Sequence, residues 1–190
     1  MARIYTRSGD DGFTGLIGGR RLPKDSARVD AYGSVDELNA ALGLVCSHPI
    51  PARVQAILRR IQDDLFTIGA NLALPQDARP EDWQVPLLAE DNIDMLEQTI
   101  DECEASLEPI GNFILPGGSA AGATLHLART VARRAERVCV ALSHQEPVDP
   151  RIIRYLNRLS DLCFVLARLV NRHFSCAESH PTFGKRQECE

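Results

Sequence analysis

Lysine is almost missing from this 190-residue chain: of 21 basic side chains 19 are arginine, leaving only Lys24 and Lys185. Arginine's planar fork favours two-point contacts to carboxylate or phosphate, so the bias points to specific anionic partners. No apolar run approaches the ~20 residues needed to span a bilayer. The start, Met1 to Tyr5, lacks the long apolar stretch of a signal peptide. The six cysteines (Cys46, Cys103, Cys139, Cys163, Cys176, Cys189) contain no C-x-x-C pair, so neither a disulfide framework nor a zinc site is expected. A reducing, cytoplasmic location follows as the expectation, with no membrane partner. Aromatic residues are also scarce, 5% of a chain that is 44% hydrophobic, so one ordinary domain core must be filled mainly by aliphatic side chains.

A surplus of positive charge is absent too. The net charge of -5 excludes a general nucleic-acid binder, whose affinity rests on excess cations. The sum hides a pattern: residues 1–29 hold six basic and three acidic side chains, 30–117 four and sixteen, 118–174 nine and four. Two basic segments flank an acidic middle. A small anionic ligand fits that pattern better than DNA does.

What is present is helical periodicity. Five segments repeat apolar residues at steps of three and four, the spacing of one stripe on a helix. They begin with Ala31, Val35, Leu38, Leu42, Val45 and with Val54, Leu58, Ile61, Leu65, Ile68, Leu72. Ile93, Leu96, Ile100, Cys103, Leu107 form the third, Ala121 to Leu142 the fourth and Ile152 to Val170 the fifth. Nothing alternates with period two over a useful length, so strands are expected to be absent or very short. The expected fold is an all-α, up-and-down bundle of five helices over residues 30–174. An N-terminal arm, 1–29, precedes it and a mobile polar tail, 175–190, follows.

The arm carries five of the chain's 13 glycines between Thr6 and Gly19, interleaved with hydroxyls and cations. Such a loop can turn its N–H groups around an anion, with Arg7, Lys24 or Arg28 adding charge. It matches neither the Walker loop nor G-x-G-x-x-G. A merely flexible Gly-rich arm is the bland alternative. Ser34-Val35-Asp36-Glu37 has the S-x-x-E form of a capping box, which would start the first helix there and leave Asp36 in its first turn. The fourth segment has a second, polar stripe, His126, Arg129, Arg133, Glu136, edged by Arg134 and Arg137. Four arginines with one glutamate in nine residues repel unless anions lie among them. An acidic neighbouring helix and a bound anion are both consistent with that. On the fifth segment Asn157 and Asp161, four apart, share a face. His126 has no partner histidine at i+4 and no Glu-x-x-His pair, so a metal site there is not expected.

Tyr5 to Gly12, Arg20 to Asp25, Ala31 to Leu38, Phe113-Ile114-Leu115-Pro116-Gly117-Gly118, Ala128 to Arg137 and Tyr155 to Asp161 together resemble the PduO-type ATP:cob(I)alamin adenosyltransferases. The likeness runs in one order from Ile4 to about Phe174. It implies a five-helix bundle with an ordered arm, assembled as a homotrimer. The implied reaction is attack by the cobalt of cob(I)alamin on C5′ of ATP, giving adenosylcobalamin and inorganic triphosphate. By the same resemblance Thr6, Arg7, Ser8, Gly9, Thr14, Gly15 and Lys24 wrap the triphosphate. Arg133, Arg134, Glu136, Arg137, Asn157 and Asp161 hold the nucleotide from the helices. Asp36 and Arg129 correspond to an intersubunit ion pair, and Phe113 to the residue shielding the lower face of cobalt. Mg²⁺ is expected to ride on the ATP phosphates, with no protein metal site. The implied partners include a cob(II)alamin reductase or an enzyme that uses adenosylcobalamin. The competing readings are a non-catalytic ATP- or corrinoid-binding sensor or chaperone, and an assembly protein whose arginines only join subunits.

Overall fold

A computed structural model describes residues 4–75 and 80–182. The chain begins with a loop and a small antiparallel hairpin, β1 (Phe13–Gly15) against β2 (Arg21–Pro23), with Thr14 opposite Leu22. Five helices follow: α1 (Ala27–Cys46), α2 (Ala52–Leu72), α3 (Glu90–Glu104), α4 (Ala120–Ser143) and α5 (Pro150–His173). A single 3₁₀ turn, Pro80–Trp83, lies between α2 and α3.

The apolar stripes form the core. All the named stripe residues of α1 and α2 are buried, and so are Leu125, Ala128, Ala132, Ala135, Cys139 and Leu142 of α4. The alanines let α1 and α5 approach α4 closely, and both pack along it. Ends that touch fix the directions. Arg28, at the start of α1, donates from Nη1 to the carbonyls of Leu72 and Leu74 at 2.7 and 2.8 Å, and its Nη2 pairs with Glu146 at 2.7 Å. The start of α1 therefore meets the ends of α2 and α4. Gly117 and Ser119, before α4, bond to Asn171 near the end of α5, and Glu90 at the start of α3 pairs with Arg154 at the start of α5. The helices alternate up and down, as expected.

Local signals explain most helix starts. Asp149 accepts from Arg151 N–H at 2.9 Å, with Pro150 supplying the preset φ of a first-turn residue, and Ser119 Oγ accepts from Gly122 N–H at 3.0 Å. The first helix departs from expectation. It opens at Ala27, after Ser26, rather than at Ser34. Ser34 is buried within α1, Glu37 pairs with Arg134 of α4, and Asp36 lies mid-helix. The reason is tertiary. Arg28, only 5% exposed, must lie on α1 to satisfy the last carbonyls of α2, and that carries the helix upstream through Gly33.

The polar tail also differs from expectation as far as it is described. Leu115 N–H donates to Ser179 O at 2.7 Å, His180 Nδ1 bonds Phe113 O at 2.9 Å, and Glu178 pairs with the buried Arg168 at 2.6 Å. These bonds tie residues 178–180 to the α3–α4 loop and to α5. The remainder of the tail expectation, including Lys185 and Cys189, concerns residues 183–190, outside the described residues.

Candidate functional site

The N-terminal loop is built around its own backbone. Thr6 Oγ1 and Ser8 Oγ lie 2.7 Å apart, and Arg21 donates to Ser8 O and to Asp11 Oδ1, the latter at 2.8 Å. Arg21 thereby holds the Asp11 carboxyl below the usual range. Arg7 sits at φ 61, a region a non-glycine residue adopts only when its surroundings over-determine it, and its guanidinium lies 5.5 Å from the Tyr5 ring centroid. Lys24 N–H donates to Gly12 O at 2.9 Å. Its ammonium lies against Gly9, where a Cβ would stand 3.1 Å from Nζ. Thr6, Ser8, Gly9 and Lys24 thus come together, while Thr14 and Gly15 form β1 beside them.

The helical half lies elsewhere on the bundle. Arg129, Arg133, Ser160, Asp161 and Phe164 line a hollow of about 360 Å³ between α3, α4 and α5. Glu136 Oε1 accepts from Asn157 Nδ2 at 2.9 Å, and Asn157 Oδ1 accepts from Arg158 Nη1 at 2.7 Å. Arg158 is in turn oriented by Glu97 at 2.7 Å. Arg137 Nη1 donates to Arg133 O at 3.3 Å. Arg134 pairs with Glu37, so one arginine of the polar stripe has an acidic neighbour on α1 while Arg129 and Arg133 face a cavity. Arg129 Nε is buried with no hydrogen-bond partner.

A larger hollow, about 870 Å³, adjoins the first and shares Arg129 and Phe164 with it. Its other walls are apolar loop residues (Ile110, Phe113, Ile114, Pro116), His126, and the tail residues His180 and Pro181. Phe113 is 78% exposed. Exposing that much ring is unfavourable in water by roughly 1.5–3 kcal/mol relative to burial, so a ring held out by a Pro- and Gly-shaped loop suits an apolar partner. His126 packs edge-on against Phe164 at 5.9 Å. Burial, then the Arg129 charge, holds its imidazolium below the usual histidine range, against the opposing pull of Glu178.

Asp36 lines a third groove, between α1 and α2, with Tyr32, Phe66 and Ala70. Within one chain Asp36 and Arg129 therefore occupy different faces. Phe164 and His180 carry no sequence signal: Phe164 belongs to a helix whose stripe reads as core, and nothing in the polar tail marks His180.

The family model described as cobalamin adenosyltransferase matches residues 4–170. A corrinoid adenosyltransferase of Mycobacterium tuberculosis is 47% identical over 176 residues, 90% of this chain and 90% of the relative. That of Bacillus subtilis is 44% identical over 173 residues, 89% of this chain and 86% of its own. Among solved structures, a phenylalanine-to-alanine variant of a PduO-type ATP:corrinoid adenosyltransferase from Lactobacillus reuteri, complexed with cobalamin and ATP, is 36% identical. It superposes with a TM-score of 0.89, covering 94% of this chain and 99% of that one. An arm of hydroxyls, glycines and one lysine, an arginine-lined hollow and an apolar hollow beside it thus occur on a backbone shared along nearly its whole length, and the chain belongs to the cobalamin adenosyltransferase family.

Proposed function

We infer that this chain adenosylates cobalamin at the expense of ATP: the cobalt of cob(I)alamin attacks C5′, the C5′–O bond breaks, and inorganic triphosphate leaves. The observation that carries this reading is the wall shared by the two hollows. Arg129 and Phe164 line both the apolar cavity beside Phe113 and the polar cavity beside Arg133 and Asp161, so a flat apolar substrate and a nucleotide would meet there.

The reduced cobalt is itself the nucleophile, so the protein needs no activated Ser, Cys or His. The cysteines agree with that: burial pushes the Cys139 and Cys163 thiols up to about 12, far from thiolate reactivity. The chain's task is to orient C5′ and to stabilise a departing polyanion. Arg133 and Arg137 supply fixed positive charge on α4, while Glu136, Asn157 and Asp161 suit hydroxyl and amine groups of the nucleoside. Thr6, Arg7, Ser8, Gly9, Thr14, Gly15, Lys24 and the N–H groups between them close on the phosphates. Mg²⁺ carried on the ATP phosphates would neutralise part of the leaving-group charge.

Because Asp36 and Arg129 lie on different faces of one chain, their pairing requires two subunits, which supports a homotrimer with sites at its boundaries. Phe113 shields the lower face of cobalt and so favours loss of the lower ligand before reduction. A cob(II)alamin reductase and an acceptor of the product are the transient partners this chemistry calls for.

The test is an anaerobic assay with ATP and chemically reduced cobalamin. Formation of adenosylcobalamin with one triphosphate per turnover supports the reading. Binding of both ligands without turnover would make the chain a sensor or carrier instead.

A further inference from the structure

We propose that Trp83 is a positioning residue for the nucleotide arm: its ring braces the hairpin turn at Gly18 and so holds the distant Thr6–Gly9 loop in register for ATP. The inference rests on the reading of the arm as the phosphate-binding segment. Trp83 ends the 3₁₀ turn Pro80–Trp83 in the α2–α3 connection. Nothing in its sequence surroundings marks a motif.

The arm is one hydrogen-bonded unit. Arg21, on β2, reaches Ser8 and Asp11, Lys24 N–H reaches Gly12, and Leu16 N–H closes the hairpin turn on Arg20 O at 2.7 Å. From Ile4 to Pro23 only Leu16 is a buried side chain, and Ile17 N–H donates to Ala73 O at 3.2 Å. Trp83 adds a contact at the hairpin turn. Gly18 sits at φ +89, where L side chains are strained, and a Cβ there would stand 3.1 Å from Trp83 Cζ2 and 3.4 Å from Cε2. The backbone of the turn thus runs directly against the indole.

Residues 80–88, which carry Trp83, are tied to one another and to the helices. Asn71 Nδ2 donates to Pro86 O at 2.6 Å, Val85 N–H donates to Pro80 O at 3.1 Å, and Leu88 is buried in the core. Gln84, directly after Trp83, has φ 52, a left-handed conformation that turns the chain back at that point. Trp83 is 49% exposed, and part of its ring lies against the turn at Gly18. An arm with one buried side chain retains an undocked alternative, and only the docked form holds Lys24 and the Thr6–Gly9 loop, as one unit, in place on the bundle. A ligand that needs the docked form binds with an apparent affinity lowered by the undocked fraction. By linkage, ATP must strengthen the Trp83–Gly18 contact by the same factor that the contact strengthens ATP binding.

Trp83→Ala, which lets the docked fraction fall to about a tenth, is expected to raise KM for ATP roughly tenfold. The kcat at saturating ATP and the KM for cob(I)alamin should stay within about twofold, and Trp83→Phe should restore most of the loss, since a ring can still cover Gly18. Trp83 is the chain's one tryptophan, so acrylamide quenching of its emission reads the contact in the unaltered protein. Saturating ATP should lower that quenching. An unchanged KM for ATP in a folded Trp83→Ala protein overturns the proposal, as does an equal rise in both KM values with loss of helical circular dichroism. Should the variant not fold, quenching insensitive to ATP overturns it alone. Lys24→Ala run alongside separates the two levels: no effect there removes the phosphate-binding arm itself, whereas a large effect there with none at Trp83 removes only the brace.

Discussion

Tyr155 of α5 donates its phenolic hydrogen to Asp64 Oδ2 of α2 at 2.9 Å in the middle of the bundle, while Asn92 of α3 donates to Asp64 Oδ1 at the same distance. One buried carboxylate thus joins three helices far apart in the chain. Burial, first, raises the Asp64 pKa, with the Tyr155 hydrogen bond opposing it; burial and the Asp64 charge drive Tyr155 well above its ordinary value. Tyr155→Phe leaves Asp64 short of a donor and is expected to destabilise the protein by about 1–3 kcal/mol in urea unfolding, with the adenosylation kcat unchanged, because the pair lies away from both hollows.

The same carboxylate sets a pH dependence. Folded Asp64 holds its proton to higher pH than the unfolded chain, whose value is the ordinary 3.8. Between those two values the native state binds more protons, so its contribution to stability falls as pH rises and levels off above the raised value. Asp64→Asn removes the titration. The stability of the unaltered protein relative to this variant should decline with rising pH from about 4 and then flatten; a difference that is constant with pH excludes the raised pKa.

Lys24→Ala and Arg133→Ala each remove one cation that the proposed site turns toward the leaving group. Each is expected to lower kcat/KM for ATP by roughly 10²–10³-fold, the scale of losing one preorganised charge contact, with unchanged far-ultraviolet circular dichroism. Intact kinetics in both variants would sink the triphosphate assignment.

Phe113 stands out from its loop rather than in the core, so Phe113→Ala should leave the melting temperature nearly unchanged. ATP should still bind by calorimetry. The spectrum of four-coordinate cob(II)alamin, expected when the unaltered protein holds cobalamin and ATP, should fail to develop; its normal appearance would reject the shielding role.

Gly122 lets α5 approach the first turn of α4. A Cβ at Gly122 would overlap Asn171 Oδ1, which accepts from Ser119 N–H and Oγ–H at 2.9 Å while Nδ2 donates to Gly117 O at 2.8 Å. Asn171 cannot turn away without giving up these bonds. Gly122→Ala should therefore destabilise by about 1–3 kcal/mol, seen as a lowered urea midpoint, and Gly122→Val by more.

Most of the helical framework was legible because its signal is local. Val54 to Leu72 fall on one stripe wherever the rest of the chain lies. The start of α1 was not legible. Ser34-Val35-Asp36-Glu37 has the form of a cap, yet the helix runs through it because Arg28, six residues earlier, meets carbonyls at the end of α2 and a carboxylate after α4. The contacts of residues 178–180 were hidden for the same reason: Glu178 and His180 look like solvent residues until Arg168 and Phe113 are found beside them.

The sequence by itself determined the five-helix periodicity, the glycine- and hydroxyl-rich arm, the crowding of arginine on α4 and the family, since each lies in residue types at short, fixed spacings. Tertiary structure decided which arginines are already paired: Arg134 meets Glu37, while Arg129 and Arg133 face a cavity. It also decided that Asp36 and Arg129 stand on different faces of one chain, and that Phe113 and Phe164 wall the apolar hollow while Tyr155 is buried in the core. These outcomes depend on contacts between segments tens of residues apart, where the packing of one helix selects the neighbours of another, and no local pattern encodes that choice.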